Sequence, residues 1–315
     1  MSLIKVEQPG FLTHIQDLGR YGYAHLGVSA SGAADAVSLR LGNLLVGNPE
    51  NAAALEMTLV GGTFEFESNA IIAITGSDFE PKLDGNSLPL YTTVDVKAGN
   101  KLQFSATKSG ARCYLCVRGG IDCSPVLSSA STHLLTGLGG HEGHALKKDD
   151  TLSVKIAPSN KGFLHVRVSP DVLKQLHRGG AVRATLGPQA EYFSDDAHAA
   201  FFSTPYAVSE ESNRMGLRLT GSALTRTIAG DILSEGVSLG AVQVPQNGQP
   251  IILFVEHQTA GGYAKIANVI SADFHRLGQL RPRDEIRFEK ISIEQAVALL
   301  REQEKLIGRQ SLLPI

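Results

Sequence analysis

Apolar and polar residues alternate along this chain more often than apolar residues recur at helical spacing. Between Ala54 and Ile156, the segments LEMTLV, TFEFES, AIIAITG, TTVDVK, KLQFSA, ARCYLCV and TLSVKI carry the alternating or short continuous apolar pattern of strands. Asp84-Gly85-Asn86 and Ala98-Gly99-Asn100 lie between them and supply turn chemistry. Residues 2–7 and the segments LHVRVS and AVRATL read the same way. Helical spacing occurs in Val37, Leu41, Leu44 and Leu45, with Ser31 or Asp35 as the N-cap and Gly47-Asn48-Pro49 as the stop. It returns in Ile293, Val297, Leu300 and Ile307, a packing face opened by a Ser292–Gln295 capping box and ended by Gly308. The pattern predicts a mainly β protein with a few helices. VKAGNKLQF, LKKDDTLSV and LRPRDEIRF repeat one unit, a polar turn and a short alternating strand, which suits β-barrel architecture.

A chain of 315 residues is long for one core, so two domains, or one large β-rich unit, are expected. The boundary is placed at APSNKG, residues 157–162. It separates an N-terminal β-rich domain, 1–157, from a second domain, 163–315, that carries the C-terminal helix.

Candidate chemistry concentrates between Val242 and Asp273. A buried strand, Pro250 to Val255, gives way to the polar run Glu256, His257, Gln258 and Thr259. Gly261-Gly262-Tyr263 follows, then Lys265 and an apolar run from Ile266 to Ile270 that reads as a helix. Two glycines allow a sharp turn or the close approach of a ligand to the backbone. A helix starting after them would offer free N–H groups to an anion or a carbonyl oxygen. A glycine-rich turn with solvated polar side chains fits the same spacing.

Other polar positions have two readings each. Arg214, beside Met215-Gly216, is either a fork for a carboxylate or phosphate or one partner of a surface ion pair with Glu210 or Glu211. Ser31 and Asp35 either cap a helix or form an anion or carbonyl site at its start. Asp17 and Arg20 either brace a loop or line a site, and bracing is favoured. Glu56, in an apolar strand, is either paired or faces a cleft. Cys113 and Cys116 lie in one strand, where alternation sends their thiols to opposite faces, poor geometry for one metal. With Cys123 they read as buried reduced thiols. The tract GLGGHEGH holds His141 and His144, but its glycines disfavour a helix that would align the rings, so no metal site is assigned.

The net charge of -2 gives no electrostatic footprint for nucleic acid or an anionic membrane. No apolar run reaches the ~20 residues of a bilayer-spanning helix. The N-terminus lacks a basic region followed by an apolar core, so a cytoplasmic location is expected. No G-x-x-x-x-G-K-[ST] phosphate loop is present.

Five strings, in this order and spacing, resemble one family: GFLTHIQDLGRYGYAHLGVSASGAADAVSLRLGNLLVGN, ARCYLCVRGGID, SEESNRMGLRLTG, GAVQVPQNGQPIIL and HQTAGGYAKIANVISADF. It is the biotin-dependent carboxyltransferase, or allophanate hydrolase subunit 2, family, which includes the KipA-like proteins and the C-type subunits of bacterial 5-oxoprolinases. The resemblance implies a cyclophilin-like barrel in the second half and work beside two partners, a KipI-like B-type subunit and an A-type one. It implies ATP-dependent opening of the lactam 5-oxo-L-proline to L-glutamate, with ATP and Mg²⁺ used in the complex. One alternative is carboxyl transfer from carboxybiotin, carried by another chain, to a urea-like or amide substrate. Another is a KipA-like regulator that binds a KipI-like kinase inhibitor. Both chemistries need fixed donors aimed at a developing oxyanion. Gln258, Thr259, Tyr263 and Lys265 are the candidate catalytic residues. Ser31, Asp35, Arg214, Gly261 and Gly262 are the candidate substrate-binding residues.

Overall fold

The computed structural model describes residues 2–157, 162–177, 179–228 and 232–315. The linker expected at 157–162 lies, apart from its two ends, outside the described residues. The chain divides into two compact units. The first comprises the chain up to Arg20, Ser31–Leu176 and Lys305–Ile315; the second comprises Tyr21–Ala30 and His177–Glu304. Residues 163–176 and 305–315, assigned by sequence to the second domain, thus belong to the first unit. Their apolar side chains explain this: Val166, Val168, Leu176 and Ile307 pack in a core cluster of that unit.

Short strands build most of the first unit. In chain order they are β1 (Ser2–Gln8), β2 (Leu12–Gln16), β3 (Ala54–Thr58), β4 (Thr63–Phe66), β5 (Ala70–Gly76), β6 (Lys82–Leu83) and β7 (Asn86–Ser87). β8 (Thr93–Val96), β9 (Lys101–Gln103), β10 (Arg112–Val117), β11 (Ile121–Asp122), β12 (Thr151–Val154) and β13 (Val166–Val168) follow. One sheet has the order β11-β12-β1-β4-β9-β6-β7 and a second the order β2-β3-β10-β5-β8. β10 shows why they stack. Cys113, Leu115 and Val117 point into a core shared with Ile4, Val6, Phe64 and Phe66 of the first sheet. Tyr114 and Cys116 point the other way, onto Val37, Leu41 and Leu45 of helix α1 (Ala36–Leu45). The strand is buried on both faces, so it reads as a continuous apolar run. The two thiols lie on opposite faces as expected, and burial pushes both well up from the ordinary thiol range. Cys123 is half-buried, its thiol raised by burial to about 11. Helix α2 (Pro170–Leu176) follows β13.

The second unit contains β14 (Val182–Leu186), helix α3 (Asp195–Ser203), β15 (Tyr206–Val208), β16 (Gly216–Thr220), β17 (Glu235–Gly236) and β18 (Ala241–Val244). Then come β19 (Ile251–Leu253), β20 (Ala260–Gly261), β21 (Ala264–Val269), helix α4 (Phe274–Leu277), β22 (Glu285–Ile286), β23 (Phe288–Lys290) and helix α5 (Ile293–Leu306). One sheet runs β22-β15-β16-β19-β18-β21-β14-β23. Its two outer strands are separated in sequence by Arg287 alone, so the sheet comes round on itself as a nearly closed barrel. Phe201 of α3 stacks on Phe288 of β23 with ring centroids 4.3 Å apart. The mainly β class and the barrel in the second half are as expected. Strand β24 (Leu312–Pro314) pairs with β13 of the first unit.

Two local expectations are corrected. The run from Ile266 is not a helix but the body of β21, paired with β18 and β14. Its residues are almost all buried, and a fully buried strand shows no alternation to separate it from a buried helix. α5 has its capping box, Ser292 N to Gln295 Oε1 at 2.8 Å and Gln295 N to Ser292 Oγ at 3.2 Å. Its apolar stripe packs only toward its C-terminal end: Ile307 beyond the helix is buried in the core and Leu300 half-buried, while Ile293 is 68% and Val297 42% exposed. Among the described residues no helix is long and apolar enough to cross a membrane.

Candidate functional site

In the second unit, β18 and β21 run antiparallel, and Gln243 stands directly opposite Lys265. Cross-strand partners project to the same side of a sheet, with Cβ atoms about 5 Å apart. Gln243 is 1% and Lys265 3% exposed. Burying an ammonium is costly unless it is paired. Lys265 Nζ lies 2.6 Å from Glu235 Oε1. Gln189 Nε2 donates to the same oxygen at 2.8 Å, and Gln189 Oε1 accepts from Lys265 N at 3.3 Å. Bonds from Lys265 and then Gln189 hold the Glu235 carboxyl below its ordinary range.

Gln258, Thr259, Gly261 and Gly262 close over this pair. Gln258 Nε2 donates to Gln243 Oε1 at 3.3 Å. Gln243 Nε2 is buried and has no hydrogen-bond partner among the described residues. An unsatisfied buried donor costs about 1–3 kcal/mol. Val237 N donates to Thr259 O and Ile232 N to Gly262 O, while β17 pairs with β20 so that Glu235 faces Gly261. A Cβ at position 261 would stand 2.7 Å from Gln243 Nε2, and one at position 262 would stand 2.8 Å from Ile232 O. The two glycines therefore serve close approach. The expected helix N-terminus behind them does not exist, because β21 follows. Tyr263 is 38% exposed at the edge of this cluster. His257 donates from Nδ1 to Gln258 O at 2.6 Å, and burial lowers its pKa.

Arg214 is neither a surface residue nor paired with Glu210 or Glu211. Its Nε lies 2.5 Å from Glu256 Oε1, and both side chains are buried. Glu256 N also donates to Arg214 O at 2.8 Å. Glu210 pairs with Arg283 and Glu211 with Arg218. The Arg214–Glu256 pair ties the turn after β19 to the start of β16. Elsewhere in the unit, Asp273 holds Arg183 and Arg276. Burial alone would raise its carboxyl, but its bonds to Arg183 and the Arg276 charge outweigh that and lower it.

Ser31 and Asp35 lie in the first unit. Asp35 is the N-cap of α1, accepting from Ser38 N at 2.9 Å and Ser38 Oγ at 2.6 Å. Ser31 does not cap; it donates to Thr132 O at 3.0 Å. Asp35 N donates to Tyr114 Oη, which donates to Glu56 Oε2; Ala34 N donates to the same oxygen, and His14 Nε2 is 3.9 Å from Oε1. Glu56 is thus paired inside the fold. Asp17 and Arg20 brace the segment 126–131. Asp17 accepts from Ser129 Oγ, Ala130 N and Ser131 Oγ, and Arg20 donates to Ser131 O. His141 faces Asp150 and His144 faces Glu142, and among the described residues no group of three or more His, Cys, Asp and Glu is arranged to hold a metal.

Three residues of the cluster, Gln189, Glu235 and Gln243, are not singled out by the sequence. Gln243 leaves the only trace, a glutamine between Val242 and Val244 where alternation marks the opposite face of the strand. Together the cluster offers one cation, several amide donors and glycine-lined backbone, the equipment for binding an anionic or developing anionic oxygen.

The family model of the carboxyltransferase domain, subdomain A and B, matches residues 26–290. The chain is 41% identical over 303 residues to the C subunit of the Escherichia coli 5-oxoprolinase, covering 96% of each. It is 37% identical to the C subunit of the Haemophilus influenzae 5-oxoprolinase, covering 92% of each. The crystal structure of Kluyveromyces lactis urea carboxylase superposes with a TM-score of 0.90 at 29% identity, over 99% of this chain and 30% of that one. On its sequence and on its fold, this chain belongs to the carboxyltransferase domain family, subdomains A and B.

Proposed function

We propose that this chain is the C-type subunit of an ATP-dependent 5-oxoprolinase, which opens 5-oxo-L-proline to L-glutamate with A-type and KipI-like B-type subunits. The observation that carries the reading is the likeness, along nearly its whole length, to the C subunits of two 5-oxoprolinases. The cluster around Lys265 fits the chemistry. A lactam is a stable amide, and its opening places negative charge on oxygen as water adds to the ring carbon. Lys265, held by Glu235 and Gln189, supplies a fixed positive charge for an anionic group of the substrate. Gln258, Thr259 and Tyr263 supply donors on the exposed side, and Gly261 and Gly262 let the ligand meet the backbone. Arg214 acts through Glu256, keeping the turn that carries Gln258 in place. ATP with Mg²⁺ supplies the activation of the lactam oxygen. ATP and Mg²⁺ are assigned to the assembly of the three subunits.

The test is glutamate release from 5-oxo-L-proline and ATP by the three subunits, each omitted in turn. Release that needs all three supports the reading. Undiminished release without this chain overturns it.

The fold it shares with urea carboxylase favours a second reading, transfer of a carboxyl group from carboxybiotin. The three methionines precede Ser2, Thr58 and Gly216, and none precedes a lysine as in a biotin carrier, so biotin would arrive on another chain. Transfer of labelled carboxylate from a carboxybiotin carrier, with no glutamate from the full complex, would select this reading.

A further inference from the structure

One donor of the cluster is used by neither the fold nor the paired charges. Gln243 and Lys265 are cross-strand partners on one side of the sheet, and both are buried. Gln243 Nε2 lacks a hydrogen-bond partner among the described residues. Its direction is nevertheless set. Gln258 donates to the Oε1 of the same amide, which turns Nε2 toward the Gly261 backbone. A side chain at 261 would stand 2.7 Å from that nitrogen, so only glycine lets the amide lie against the backbone there.

Glu235 is the second observation. Its carboxylate lies against the buried Lys265 ammonium, yet its own side chain is 45% exposed. It is carried by β17, a strand of two residues paired with β20 opposite Gly261. A ligand carboxylate taking the place of Glu235 would leave Lys265 with one negative partner, as now. It would also give Gln243 the acceptor it lacks.

We infer that Gln243 and Lys265 are paired donors for one carboxylate of a small anionic substrate, and that Glu235 occupies that position when no ligand is bound. The inference deepens the proposed function and rests on it for the identity of the substrate, since 5-oxo-L-proline carries one carboxylate apart from its lactam carbonyl. Gln243 is then a specificity-determining residue.

The experiment is a calorimetric titration of the full-length chain with 5-oxo-L-proline and with 2-pyrrolidinone, the same ring without the carboxylate. The wild-type chain is expected to prefer the acid. Gln243→Glu places a second negative charge beside Lys265, and Gln243→Met removes the donor. Each is expected to weaken binding of the acid ~10- to 100-fold, the range for a hydrogen bond to a charged group, and to leave the neutral lactam unchanged. Glu235→Gln removes the internal competitor and is expected to tighten the acid several-fold. Thermal melts identify the variants that fold. Equal binding of acid and lactam by the wild type overturns the inference. So does wild-type affinity for the acid in a folded Gln243 variant, or weaker binding in Glu235→Gln. In the three-subunit complex, Gln243→Met is expected to raise KM for 5-oxo-L-proline with kcat little changed, a split that general loosening of the fold would not give. Carboxylate-dependent binding by a chain whose complex releases no glutamate removes the 5-oxoprolinase reading and leaves the donor pair. Glutamate release with KM unmoved by Gln243 variants removes the donor pair and leaves that reading.

Discussion

At the scale of single residues, the second unit is held by buried charges that each have a named partner. Arg214 and Glu256 are both almost wholly buried and bonded at 2.5 Å. Removing one partner strands the other charge, a loss of about 3–5 kcal/mol. Arg214→Met is therefore expected to lower unfolding stability in urea by that amount, and adding Glu256→Leu is expected to recover part of it. Loss of stability by the double variant equal to or greater than that of the single one would count against a stranded charge as the cause. Glu235 gives a pH dependence. Its folded-state carboxyl is held below the ordinary range by Lys265 and Gln189. The pair thus contributes its full stability above the unfolded carboxyl pKa and loses it as pH falls through the lower, folded value. Glu235→Gln is expected to be less stable than wild type at pH 7, with the difference shrinking below about pH 4. Thermal melts across that range read it directly.

At the scale of elements, local chemistry is legible in the sequence and long-range pairing is not. The Ser292–Gln295 capping box can be read because a cap is made within four residues. Ser292→Ala is expected to cost about 1 kcal/mol and to speed amide exchange in the first turn of α5. The alternating strands and the turns at Asp84-Gly85-Asn86 and Ala98-Gly99-Asn100 are legible for the same reason. β21 reads as a helix because Ala264, Ile266, Ala267 and Val269 are buried together, and burial on both faces erases the two-residue period. The glycines at 261 and 262 mark the site, but their reason for being there does not show. What they approach, Gln243 Nε2 and Ile232 O, arrives through the pairing of β18 with β21 and of β17 with β20. Gln189 and Glu235 reach Lys265 by the same route. The resemblance of whole strings carries the family, while of Ser31 and Asp35, read as a cap or an anion site at the start of α1, Asp35 caps the helix and Ser31 bonds Thr132 O.

At the scale of the whole molecule, the chain leaves the first unit after Leu176 and returns to it at Lys305. The return supplies β24, the partner of β13, and Ile307, part of a core with Val166, Val168 and Leu176. Deleting 305–315 is expected to expose β13 and speed amide exchange in the first unit while the barrel strands β18 and β21 stay protected. Faster exchange confined to β18 and β21 would show that the C-terminal residues belong to the other unit. The same arrangement bears on biosynthesis. β22 and β23, which bring the barrel round on itself, span residues 285–290, and β24 follows at 312–314. Until residues 285–314 have been made, β13, β14 and β15 stand with one side open to strands from other chains. Each unit is therefore completed only once these late strands have been made, and a polypeptide released before residue 285, by a nonsense codon or a stalled ribosome, would leave the ribosome with β13, β14 and β15 open and a tendency to aggregate.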